Sequence, residues 1–187
     1  MEKITSFLQK WLWLIALILF ALLAVFAISM ATPTAVCSSY GGPEPGVTTF
    51  YQAYQSSNDA LLILGACSIV ITFLFKGLRS SIRPIYYIGN FVSCAAVGIM
   101  GIASGVTTLV ATSRYQAGYA TLPIDAMNQY WLDHGSNVTI EKSPAIFPLG
   151  YVLSICLVLA GVAAFVLFVL KLIARIRYEK SRKGEAE

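Results

Sequence analysis

Apolar residues come in four long runs, separated by segments that carry the charge. The first, residues 11–30, reads WLWLIALILFALLAVFAISM, and no charged residue occurs between Lys10 and Glu44. At a rise of about 1.5 Å per residue, roughly 20 residues cross a hydrocarbon core about 30 Å thick. The second run, residues 61–75, lies between Asp59 and Lys76 and is short, so flanking residues are expected to continue its helix. Residues 85–113 are free of charge between Arg83 and Arg114, longer than a bilayer requires, which predicts tilt or an extension into water. The fourth run, residues 148–170, starts at Pro148, a residue suited to a first helical turn. The pattern predicts a single membrane domain over 1–187. Its spans fall at about 11–31, 58–76, 85–112 and 147–171, its outer loops at 32–57 and 113–146, and a cytoplasmic tail at 172–187.

Composition narrows the class. The 187 residues are 57% hydrophobic and 12% charged, against about 25% charged in a soluble domain. Such a chain has too little charge to clothe a water-exposed surface. A soluble enzyme, a disordered tail and a disulfide-rich secreted module are excluded on this ground.

Charge then sets orientation. Eleven of the 13 basic residues fall in the N-terminal segment (Lys3, Lys10), the connection between spans two and three (Lys76, Arg79, Arg83) and the tail (Lys171, Arg175, Arg177, Lys180, Arg182, Lys183). The other two, Arg114 and Lys142, share the opposite side with Glu44, Asp59, Asp125, Asp133 and Glu141. The positive-inside bias therefore predicts both termini in the cytoplasm. The first apolar stretch, near 20 residues, exceeds a signal-peptide core of 7–15, so it is expected to stay as an anchor. The implied location is a plasma membrane or bacterial inner membrane, with multiple passes. The basic balance reflects topology and anionic lipid rather than nucleic acid; Lys76, Arg79, Arg83, Arg175 and Arg177 are the expected lipid contacts.

Chemistry-bearing residues are scarce where they would matter. No Asp, Glu, Lys, Arg or His interrupts the apolar runs, which argues against a proton-coupled carrier, a voltage sensor or an intramembrane aspartyl protease. Asn90 is read as an intramembrane amide making an interhelical hydrogen bond. Of four cysteines, Cys37 alone falls outside and Cys67, Cys94 and Cys156 fall in spans, with no CxxC, so no redox pair is predicted. His134 is the single histidine and lies in the second outer loop, where a solvated role is expected. Asp125, Asp133, His134 and Glu141 are the outer-face candidates for an enzyme, yet the adjacency of Asp133 and His134 does not orient a general base. No catalytic, metal or cofactor residue is assigned.

Small residues mark packing faces. Span three carries Gly98, Gly101 and Gly105, and span four carries Ala160, Gly161 and Ala164; small-xxx-small spacing lets backbones approach. The first outer loop has turn formers at Gly41-Gly42-Pro43 and Pro45-Gly46, followed by VTTFYQAY, which suits a short strand or the lead-in to a helix. In the second, Pro123 and Gly135 bracket a predicted helix whose Ile124, Met127 and Trp131 share one face. Asn137-Val138-Thr139 is a glycosylation sequon, meaningful in a eukaryotic secretory pathway. Tyr51, Tyr54, Tyr115, Tyr119, Tyr130 and Trp131 are the expected partner contacts in the outer loops, since such rings suit both membrane interfaces and protein interfaces.

The topology is that of tetraspan proteins in general. The Cys-Cys-Gly of tetraspanins, the Trp…Cys…Cys of claudins and the CxxC of vitamin-K-epoxide reductases are all missing. The expected fold is an all-α integral membrane protein, an antiparallel bundle of four transmembrane helices whose two outer loops form a small extracytoplasmic cap. The expected function is non-catalytic: a subunit, adaptor or assembly factor of a larger membrane complex. Its partners would be other membrane protein subunits or a second copy, together with membrane lipid, and not nucleic acid. The alternative is an oligomeric channel or transporter of a small or lipidic solute, with Asn90, Ser93, Ser104, Thr107 and Thr108 of span three as its polar lining.

Overall fold

A computed structural model describes residues 2–30, 40, 45–77 and 84–184; it describes their side chains except those of 2–6, 9, 45, 46, 48, 49, 53, 55, 56, 75–77, 84–88, 90, 183 and 184. The helices are α1 (Glu2–Ser29), α2 (Pro45–Gly77), α3 (Pro84–Tyr119), α4 (Ile124–Asp133) and α5 (Ile146–Gly184). Among the described residues there is no strand. Four of the helices contain stretches long and apolar enough to cross a membrane: Lys10–Ser29, Phe50–Leu74, Phe91–Tyr119 and Ile146–Arg182. At 39 residues, α5 is far longer than a bilayer is thick.

Prolines set several helix starts, because a missing N–H and a fixed φ cost nothing in a first turn. Pro45 and Pro84 are the first residues of α2 and α3, and Pro123 immediately precedes α4. Of the two readings of VTTFYQAY, the lead-in to a helix is the one that forms. Residues 45–57 are helical, as are 113–119 at the other end of α3. The β-favouring composition of VTTFYQAY is overridden by burial: Phe50 stacks edge-on against Tyr119 at 5.6 Å, and the Tyr54 ring lies tilted against that of Tyr115 at 6.0 Å.

The predicted short helix forms as α4, with Ile124, Met127 and Trp131 buried on one face. It ends in a Schellman turn. Gly135 takes φ +72°, Gly135 N–H donates to Leu132 O at 3.1 Å and Ser136 N–H donates to Trp131 O at 2.8 Å. Tyr40, between α1 and α2 in sequence, lies edge-on to Tyr130 and Trp131, at 5.1 and 6.4 Å.

Helix α3 packs most extensively against α5 and then α2, while α1 packs on α2 and α5. α1 and α3 scarcely touch, which places them across a diagonal. The core between them holds Phe20, Leu23, Leu61, Val97, Leu157 and Ala164, all essentially inaccessible to solvent.

Candidate functional site

Three regions concentrate the features that sequence singled out: the α3–α5 interface, a polar stripe between α2 and α3, and the α4 face with its loop.

The α3–α5 interface is built on the predicted small residues. A Cβ placed on Gly101 would stand 2.8 Å from the Gly161 Cα, and one on Gly161 would stand 2.7 Å from the Ile102 N. The same construction at Gly105 meets the Ser154 carbonyl at 2.8 Å and the Val158 side chain at 2.6 Å, and at Gly98 it meets the Phe165 ring at 2.8 Å. Ser154 Oγ donates to the Gly105 carbonyl at 2.7 Å, a buried bond between the helices. Ala164 is fully buried and Ala160 half-buried. These residues therefore bring two helices of one chain into backbone contact. Asn90 lies within α3, but its side chain falls outside the described residues.

The polar stripe was only half visible in sequence. On α3, Ser104, Thr108, Thr112 and Tyr115 recur at helical spacing, and all are buried. On α2, Asn58, Ser68 and Thr72 do the same. The two rows meet: Ser68 Oγ and Ser104 Oγ are 3.4 Å apart. Numbers rise along α2 as they fall along α3, through the pairs Phe50 with Tyr119, Tyr54 with Tyr115 and Ser68 with Ser104. That register sets Asn58 opposite Thr112. Thr72 and Thr108 satisfy their hydroxyls on their own helices, each donating at 2.6 Å to a carbonyl four residues back, Ser68 O and Ser104 O. Asn58 Oδ1, Thr112 Oγ1 and Tyr115 OH are buried and have no hydrogen-bond partner among the described residues. Asn58 is thus a buried amide that the sequence pattern did not single out. Asn58 was missed because it sits beside Asp59, at what the charge pattern marked as an edge. The four-residue spacing of Ser104, Thr108 and Thr112 was the available signal. Ser93 bonds its own backbone, donating to Gly89 O at 2.7 Å, and Thr107 is half-buried.

Near the start of the predicted tail, Lys171 is 6% exposed and lies beside Cys94 of α3. This corrects its place among the free tail cations. The α3–α5 packing, with Phe91 edge-on to Phe168 at 5.1 Å, reaches Lys171, the first residue after the apolar run. Of the expected lipid contacts, Arg177 is exposed and Arg175 is half-buried and paired with Glu179. Arg79 and Arg83, and the side chain of Lys76, lie outside the described residues.

The aromatic residues divide. Tyr51 is exposed, Tyr54 and Tyr130 are half-buried, and Tyr115, Tyr119 and Trp131 are buried within the chain. The last three are therefore corrected from partner contacts to internal packing. Their rings face neighbouring helices because α2 and α3 continue past the apolar runs and need a core of their own there. Tyr119 OH donates to the Glu141 carbonyl at 2.6 Å. Asn128 clamps the loop after α4 with two bonds: its Nδ2 donates to Ile140 O at 3.1 Å and Ile140 N–H donates to its Oδ1 at 2.8 Å. The polar candidates of this region are held separately. Asp125 pairs with Lys142 at 2.8 Å, Asp133 accepts from Gln129 Nε2 at 2.8 Å, and His134 Nδ1 lies 2.7 Å from the Tyr130 carbonyl oxygen. Asn137, Val138 and Thr139 are exposed, and Cys37 lies outside the described residues. Among the described residues no three His, Cys, Asp or Glu side chains gather as a metal site.

Set against models of protein families, curated proteins and solved structures, the chain matches none of them.

Proposed function

We propose that this chain is an antiparallel four-span membrane protein acting as a non-catalytic subunit, adaptor or assembly factor through its lipid-side helix faces. It sits in a plasma membrane or bacterial inner membrane, with both termini cytoplasmic and a small cap formed by the outer loops. The asymmetry of Lys and Arg supports that orientation, and contact pairs whose numbers run in opposite directions on α2 and α3 support antiparallel spans.

The observation that carries the functional reading is the location of unused apolar surface. The described core is lined by the chain's own side chains, and Gly98, Gly101, Gly105, Gly150 and Gly161 are in close contact within it. Outward, α1 presents Leu14, Ile15, Ile18, Leu22 and Val25. On α5 a groove of about 300 Å³ is lined by Val162, Phe165, Val166, Val169 and Leu170, with no polar residue. Partner helices bind such faces by van der Waals packing, which needs shape rather than charge. Anionic lipid would meet the basic segments at the cytoplasmic edge.

A photo-crosslinking amino acid at Val166 tests this in native membranes. The expected result is one discrete adduct, of fixed stoichiometry, that is lost when the crosslinker is moved to Tyr178. Adducts with lipid alone would overturn the reading. The second reading, an oligomeric channel or transporter, is favoured by one observation: the buried polar stripe of Asn58, Ser68, Ser104, Thr108 and Thr112. Solute flux in liposomes holding the purified chain is its test.

A further inference from the structure

Resting on the subunit reading, we propose that the α5 groove and the charges beyond it bind one kind of partner: a membrane helix of another protein that carries Asp or Glu where its cytoplasmic end passes Arg177 and Lys180. The groove is shaped for a helix. Val162, Phe165, Val166 and Val169 stand at positions i, i+3, i+4 and i+7 of α5 and line it together with Leu170. Four residues at that spacing form the hole that receives one side chain of a facing helix in a coiled coil. The seam runs on in the same register. Val162, Val166, Val169, Ile173, Ile176 and Lys180 follow one another at steps of four and three, and all are exposed. Ala164, Leu167 and Lys171, on the opposite side of the helix, are buried.

Height along α5 separates a helix from lipid. Within the apolar run, exposed apolar residues need only hydrocarbon. Ile173 and Ile176 lie about one and two turns past Leu170, where the run ends, and are still 40% and 47% exposed. The headgroup layer is about 5–8 Å deep on each side of a bilayer. At a rise of about 1.5 Å per residue, Lys180 stands about 15 Å along the helix past Leu170. Anionic headgroups serve the lower part of this stretch, and a continuing helix reaches all of it.

Charge selects the partner. Arg175 is paired with Glu179, on another side of the helix. Arg177 and Lys180 make no ion pair among the described residues, and no acid stands three or four residues from either. Three residues apart on one helix, the two cations repel each other. A second copy, inserted in the same orientation, would set Lys180 against Lys180 across this seam, so self-association through it is opposed. Acids on a different chain relieve both charges, as the ion pairs flanking a coiled-coil seam do when they choose a partner.

Photo-crosslinking of the full chain in native membranes tests this, with the crosslinker at Val166 in one preparation and at Ile176 in another. The expected result is the same protein adduct from both positions, with Asp or Glu within one turn of the partner residue joined at position 176 when the linked peptide is sequenced by mass spectrometry. Lys180→Glu should lower the yield of the Val166 adduct about threefold or more. Arg182→Glu, an equal change of charge at an exposed position facing away from the seam, should leave that yield unaltered. Lys180→Gln should produce a smaller fall, and it decides the matter if Lys180→Glu does not insert. A Val166 protein adduct that is indifferent to Lys180, or that falls equally with Arg182→Glu, overturns the inference and leaves the subunit reading standing. Lipid or a second copy as the adduct at position 176, with a protein adduct at Val166, does the same. Lipid alone at both positions overturns the inference and the subunit reading together.

Discussion

Gly101 and Gly161 bring α3 and α5 into backbone contact: a Cβ on Gly101 would stand 2.8 Å from the Gly161 Cα. Neither helix offers a flexible side-chain tip that can retreat at that point. Gly101→Ala should therefore separate the helices or strain both, at a cost of about 1–3 kcal/mol, the range for overpacking. Reversible unfolding in mixed micelles measures this. Gly135→Ala, in open space but at φ +72°, should also destabilise, through backbone strain rather than contact.

Ser154 crosses the same interface to donate to the Gly105 carbonyl at 2.7 Å. Ser154→Ala removes the donor and leaves a buried carbonyl that still accepts within its own helix. Interhelical bonds of this kind in membranes are worth about 0.6–1.7 kcal/mol. A loss in that range, additive with changes at the distant Asn128, is the expected outcome of the same unfolding measurement.

Lys171 should behave as an interior residue. An amine acylating reagent, applied to the protein in detergent micelles, is expected to modify Lys180, which is exposed, and to spare Lys171. Peptide mass analysis reads the difference directly. Lys171→Glu should destabilise more than Lys171→Met, because Met keeps the apolar stem while Glu places a carboxylate where the ammonium was accommodated.

Asn128 and the Asp125–Lys142 pair make a controlled comparison in the loop after α4. Asn128→Leu removes both bonds to Ile140, and hydrogen exchange at the Ile140 amide should accelerate strongly. Asp125→Asn should leave that exchange nearly unchanged, since the ion pair is solvated, with side chains 81% and 70% exposed.

Much of the molecule follows from the chain alone. Four apolar runs bounded by charge specify four long helices, because a buried backbone in lipid must satisfy its own hydrogen bonds. Pro123, Gly135 and the spacing of Ile124, Met127 and Trp131 specify α4 almost to the residue. The glycines of span three announce a close helix contact. These signals are local, so periodicity and turn chemistry carry them.

Other features are relations between distant parts of the chain, and only tertiary structure decided them. Hydropathy places Thr112 and Asn58 at the edges of their spans, and helix register makes them opposite one another. Tyr115, Tyr119 and Trp131 look like surface aromatics until the continuing helices cover them. Lys171 looks like a tail cation until the packing of α3 on α5 buries it. In each case composition fixed what the residue prefers. Which neighbour reached it was set by helix pairing, a property of two segments at once that no single stretch of sequence contains.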